Sequence, residues 1–344
     1  MKYQNIFKIG IFFLPVFCFS QEITLPEQPT FGPGGSEYVH DSIFFQDFAQ
    51  EADGYWLFEP RSPQPDSARL VVFIHGYGGY NPMMYGKWIK HLVKKGNIVL
   101  YPRYQEHLLK PLPNSFALYT AKAIQNGLEE LKKEGHVKPI IAPLALIGHS
   151  FGGAISADLA INFEKYNIPR PKVLFLCSPG TGFVTMGRLE TYKNMPSDIQ
   201  MLIMVSQDDY VVGDELGVQI FQEATEVEDR NLIRQYRDRR SKPSVNAYHN
   251  ESYSLDKDFD SGHRNRTVNR ALYMSELNPV DYFGYWKFLD ALLDCSTNGN
   301  NCEFAFGNTQ KQRFLGLWSD GTPIKELEIE VPFINDQYSE DIRH

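Results

Sequence analysis

LIGHSFGGAIS, residues 146–156, joins an apolar run to a helix-forming run through a tight turn. Within it, Gly148-His149-Ser150-Phe151-Gly152 fits the pattern G-x-S-x-G. The run before it, PIIAPLALI, reads as a strand, and the run after it, GGAISADLAINF, reads as a helix. In that setting the serine sits on a strained strand-to-helix turn that holds its hydroxyl clear of the sheet. Larger side chains at Gly148 and Gly152 would collide with that turn. The context favours Ser150 as a nucleophile over a chance match in a glycine-rich turn.

Working outward, five further apolar runs accompany this one: GYWLFEP, RLVVFIHG, NIVLYPRY, KVLFLCSPG and IQMLIMVSQDD. Most are nearly continuous in apolar residues, as strands covered on both faces are. Amphipathic patterns near residues 83–95, 115–134 and 151–165 alternate with them. This predicts an α/β fold with a mostly parallel central sheet and helices on both faces. The connection from Ser178 to about Asp198 holds about twenty residues, too few for a large helical lid, so any cap is short. The stretch from about Asp208 to Leu277 is long, polar and turn-rich, with a strand-like NLIRQYRDRR inside it. NPVDYFGYWKFLDALLDC then reads as an aromatic-rich amphipathic helix, and a tail around FLGLWSDGTPIKEL adds a turn and an extended piece.

Other strand ends supply the partners a nucleophilic serine needs. VVFIHGYGGY ends in glycines that let backbone N–H groups face a developing oxyanion, and the N–H groups of Tyr77 and Phe151 are the candidates. His75 in that run reads as structural. MLIMVSQDDYVVG ends in two acids. Asp209 is favoured because the apolar residues after it can fold back and bury it, whereas Asp208 reads as a solvated neighbour or turn former. The base is expected last in the order Ser, Asp, His. His249 and His263 both lie on loops after Asp209; His344, at the terminus, is set aside. Tyr77, Tyr80, Phe151 and Phe183 are candidates to line an apolar acyl pocket. No HExxH or clustered His/Cys set suggests a metal, and no cofactor is expected.

At these residues the sequence resembles the α/β-hydrolase superfamily over roughly residues 40–295, through IHGYGG, GHSFGG and SQDDYVVG in that order. It is most similar to a secreted esterase group that includes cutinase-like polyester hydrolases, chlorophyllase-like enzymes and acetylhydrolases. The resemblance implies Ser150 as nucleophile, Asp209 as acid and a late histidine as base. The C-terminal part resembles a subfamily with a histidine after P-x-[LV]-x-A-x-H. PSVNAYH fits that pattern and puts His249 first, but NESYS follows where the group tends to have a proline, so His263 stays open. The expected function is a secreted serine hydrolase that cleaves carboxylic esters through an acyl-enzyme. A serine peptidase or amidase on the same fold, and a non-catalytic lipid or carbohydrate binder, are the alternatives.

Composition agrees with these expectations. The 344 residues are 42% hydrophobic, enough for a sizeable core, and carry a formal charge of −8. With no basic block or stripe, nucleic acid is not an expected partner; a small-molecule or polymeric ester is. Residues 1–20, with a basic start, the apolar IGIFFLPVFCFS and small residues at Cys18 and Ser20, read as a signal peptide. Its cleavage would leave residues 21–344 as a single α/β-hydrolase domain with a helical and extended C-terminal tail, secreted or periplasmic and without stable membrane insertion. In an oxidising compartment Cys295 and Cys302 are expected to form a disulfide across an Asn/Gly turn. Cys177 is expected to be a buried free thiol.

Overall fold

Each of the six apolar runs becomes a strand of one sheet. The computed structural model describes residues 22–332 except 109–111, 183 and 185. The expected signal peptide lies outside the described residues. The strands are β1 (Ser42–Asp47), β2 (Tyr55–Arg61), β3 (Ser67–Ile74), β4 (Asn97–Pro102), β5 (Lys138–His149), β6 (Pro171–Cys177), β7 (Gln200–Ser206), β8 (Arg230–Gln235) and β9 (Glu328–Glu330). Their order across the sheet is β1-β2-β4-β3-β5-β6-β7-β8-β9. Pairing from β4 through β8 is parallel, and the flanking strands β1, β2 and β9 pair antiparallel.

Six helices cover the faces: α1 (Gly86–Lys94), α2 (Pro113–Glu130), α3 (Phe151–Ile161), α4 (Glu215–Glu223), α5 (Arg266–Met274) and α6 (Trp286–Asn298). Strand side chains alternate between faces. On β3, Val71 and Phe73 join a core with Trp88 of α1, Val268 of α5 and Phe288 of α6. Leu70, Val72 and Ile74 join the other core with Ile124 of α2, Ile155 of α3 and Ile220 of α4. Burying each such side chain contributes about 1.5–3 kcal/mol before chain entropy is subtracted. The aromatic-rich segment enters α6 through a π-helical turn, Asp281–Tyr285.

The polar stretch after Asp208 is more structured than its composition suggests. It contains α4, β8 and α5. Only Val268 and Ala271 of α5 are buried, so the helix leaves little periodic trace in the sequence. Cys295 and Cys302 form a disulfide, and Cys177 is a buried free thiol. Among the described residues no helix is long and apolar enough to cross a membrane.

Candidate active site

The parallel strands all end on the same side, and the loops leaving β3, β5, β7 and β8 meet there. β5 ends at His149, and α3 starts at Phe151, leaving Ser150 alone to turn the chain. Ser150 has φ 56° and ψ −121°, a strained conformation for a residue with a side chain. The backbone packs too tightly there for other side chains. A Cβ on Gly148 would stand 2.2 Å from the Gly152 carbonyl oxygen, and one on Gly152 would stand 2.1 Å from that of Ile74. Ser150 N–H donates to the Cys177 carbonyl at 2.9 Å, and its own carbonyl accepts from Gly153 and Gly180.

Ser150 Oγ lies 2.9 Å from His249 Nε2, and His249 Nδ1 lies 2.7 Å from Asp209 Oδ2. All three residues are buried. The other Asp209 oxygen accepts the N–H groups of Val211 and Val212, each at 3.0 Å. Burial alone would raise the Asp209 carboxyl. The hydrogen bond from His249, the charge of that ring and the two backbone donors outweigh it and hold the group below the usual range. Asp209 is therefore an ionised acceptor that fixes Nδ1 as the protonated nitrogen and leaves Nε2 facing the hydroxyl.

A family model described as Chlorophyllase matches residues 61–205, a segment from the end of β2 to the end of β7 that contains the elbow. This match and the strand order agree.

The fold is that of an α/β-hydrolase.

The matched family is one of esterases of this fold. No curated protein matches the chain.

A cleft of about 160 Å³ opens over Ser150. Gly180, Thr181, Gly182 and Val184, from the connection after β6, line one part of it with Val211 and Val212. Tyr77 and Phe151 line it too, and neither backbone N–H has an acceptor among the described residues. Asn250, Tyr253, Thr267 and Arg270 complete it. The loop after β8 and the start of α5 thus supply a wall that sequence reading missed. The traces in the sequence were slight: Asn250 and Tyr253 follow His249 within one turn, and Asn265 caps α5 by accepting the Val268 N–H at 2.9 Å. Among the described residues no group of three or more His, Cys, Asp or Glu is placed to hold a metal ion.

The structure revises several expected placements. His263 is not at the cleft; its ring packs edge-on against Trp56 and Tyr80, at 6.1 and 5.7 Å. Tyr80 does not line the cleft either. It is buried, with its ring between His263 and His75 and under the Arg103 guanidinium. Asp208 is buried rather than solvated: it pairs with Arg237 at 3.2 Å, and its N–H donates to the Ala247 carbonyl at 2.9 Å. That second bond ties the His249 loop to the end of β7. Phe183 and His344 lie outside the described residues.

Behind the site, His75 stacks on Tyr104 with 4.1 Å between ring centroids, next to the carbonyls of Gly76 and Arg103. Burial drives its pKa down to about 4. His149 is also fully enclosed. Burial and the neighbouring His249 lower its pKa to about 3, so it is neutral. Its Nε2 faces the His249 carbonyl at 2.9 Å, and its Nδ1 faces Tyr85 Oη at 2.8 Å. Tyr85 Oη in turn accepts the Gly76 N–H at 3.2 Å. Glu251 accepts the Tyr248 N–H in the same loop, and burial raises its carboxyl to about 7.

Proposed function

We propose that this protein is an exported serine esterase, with Ser150 as nucleophile, His249 as base and Asp209 as the orienting acid. The observation that carries the reading is the buried hydrogen-bonded run from Ser150 Oγ through His249 to Asp209, with Ser150 at positive φ. Ser150 Oγ attacks the ester carbonyl carbon as its proton passes to His249 Nε2. The carbonyl electron pair moves onto oxygen, where the Tyr77 and Phe151 N–H groups receive it. Collapse expels the alcohol, which takes the proton from His249, and leaves Ser150 acylated. Water then attacks the acyl carbon by the same steps, releasing the acid and restoring the serine. Asp209 stays ionised and stabilises the imidazolium that forms twice per cycle.

The Cys295–Cys302 disulfide supports export, because such bonds persist in oxidising compartments. We further propose that residues 21–344 act as one domain. The sheet supports this, since its first and last strands draw on Ser42 and Glu330. The test is hydrolysis of p-nitrophenyl acetate, butyrate and octanoate by the wild type and Ser150→Ala. The wild type is expected to turn over at least one of them, and the variant to lose at least about 10³-fold in kcat. A variant as active as the wild type would overturn the assignment of Ser150. A wild type inert on every ester would overturn the esterase reading.

A further inference from the structure

The cleft is chemically divided. Gly180, Gly182, Val184, Val211 and Val212 offer small or apolar surface. The segment after β8 offers four polar side chains that make no side-chain hydrogen bond among the described residues: the Asn250 amide, the Tyr253 and Thr267 hydroxyls and the Arg270 guanidinium. Tyr253 is only 3% exposed and its ring packs edge-on against His149 and Tyr85, which fixes the hydroxyl's position. The hydroxyl opens on the cleft without a side-chain partner, which leaves it free to meet a ligand there. Arg270 is the only lysine, arginine, aspartate or glutamate among the described residues that line the cleft. It is exposed at the rim of the cleft and has no carboxylate within 4 Å among the described residues. By contrast, Arg264 on the same segment is paired with Asp260.

We propose that the Arg270 guanidinium and the Tyr253 hydroxyl bind a carboxylate on the alcohol portion of the ester substrate. This rests on the esterase reading above, which also says which portion is involved. His249 hands its proton to the departing alcohol oxygen, so the alcohol leaves on the side of His249. Asn250 and Tyr253 follow His249 directly, and the Tyr253 ring touches His149, which packs against His249 at 4.8 Å. Arg270 lines the same cleft and its charge acts on Tyr253, so we place it on the leaving-group side and leave the small and apolar surface for the acyl portion. Arginine suits the task, since its planar fork matches a carboxylate with two parallel donors.

The test compares 4-acetoxybenzoate with 4-acetoxybenzamide, two acetate esters of similar shape whose alcohol portions differ in charge. For the wild type, the ratio of their kcat/KM values is expected to exceed that of Arg270→Gln by about 10-fold, mostly through KM for the benzoate. Arg270→Lys should recover part of the ratio, and added salt should reduce it in the wild type. Arg266→Gln, an exposed arginine of α5 outside the cleft lining, should leave the ratio within about 2-fold of wild type. An unchanged ratio in Arg270→Gln overturns the proposal, as does an equal fall in Arg266→Gln, which would indicate a diffuse field. Calorimetry separates this result from the esterase reading. Ser150→Ala should bind 4-acetoxybenzoate about 10-fold more tightly than Ser150→Ala/Arg270→Gln does; equal affinities would overturn the carboxylate site whether or not the wild type turns over esters.

Discussion

The His149 ring holds the backbone of His249: its Nε2–H donates to the His249 carbonyl at 2.9 Å. The direction is set because a carbonyl only accepts and His149 is neutral. Nδ1 must then accept from the Tyr85 hydroxyl, which itself accepts the Gly76 N–H. A continuous run thus ties the loop that carries Tyr77 to the loop that carries His249. In Tyr85→Phe the buried His149 Nδ1 loses its donor, which costs about 1–3 kcal/mol of stability. If the run positions His249, kcat should also fall by about 10-fold while KM stays within about 2-fold, and the pH profile of kcat/KM should shift with it. A stability loss with kcat unchanged would limit Tyr85 to a packing role.

His249 and His263 predict opposite phenotypes. His249→Ala should lose on the order of 10³–10⁴ in kcat with a near-normal melting temperature. His263→Ala removes a ring wedged between Trp56 and Tyr80, so it should lower stability by about 1 kcal/mol and leave kcat near wild type. Thermal melts and ester turnover on the two variants together distinguish these roles.

Glu251 is a buried carboxyl whose pKa is raised to about 7, by burial first and by Glu276 in addition, against the Tyr248 N–H and the Asn278 side chain. Its folded value lies above its unfolded one. The folded state therefore binds the proton more tightly, and Glu251's contribution to stability is full below about pH 4.5 and lost as pH rises through about 7. Glu251→Gln, which is neutral at every pH, should match the wild type at pH 4.5 and exceed it by as much as about 3 kcal/mol at pH 8.5. Urea unfolding of both proteins across this range measures the difference. A difference independent of pH would show that Glu251 titrates normally.

Gly152→Ala places a Cβ 2.1 Å from the Ile74 carbonyl oxygen and 2.5 Å from that of His75. Both obstacles are backbone at the end of β3 and cannot swing away, so α3 must shift relative to β3. A loss of at least about 3 kcal/mol is expected, at the upper end of what overpacking costs. It should appear as a lower melting temperature, with Ser150 displaced and turnover reduced at temperatures where the protein remains folded. A melting temperature within 2 °C of wild type, an allowance of about 0.5–1 kcal/mol, would contradict this packing.

The fold was legible because its central strands are buried on both faces and so appear as unbroken apolar runs, as RLVVFI and MLIMVS do. The elbow was legible because only glycine fits at 148 and 152. β1 was not recognised: as an edge strand, its sequence SIFFQD is only half buried. α5 was missed because two buried residues make too narrow a stripe. Ser150 and Asp209 could be singled out because each sits just beyond a readable strand end, whereas His249 lies on a loop well past β8 and comes first only through the resemblance carried by PSVNAYH, which leaves His263 open. The polar side of the cleft could not, because Arg270 reaches it by a loop path that no local pattern encodes. Asp208 and Asp209 are adjacent and chemically identical; the apolar residues after Asp209 favour it, but the burial of Asp208 in an ion pair with Arg237 leaves no local trace.

Ser150 and His249 are 99 positions apart, and Asp209 and His249 are 40 apart. His249 reaches the serine from a loop that follows β8, which pairs with β7, and the Asp208–Ala247 bond ties that loop to the end of β7. Non-local closures of this kind carry the largest loop entropy and tend to form late. Recovery of ester turnover during refolding should therefore lag behind recovery of helical circular dichroism, making the catalytic assay a timer for the last stage of sheet assembly.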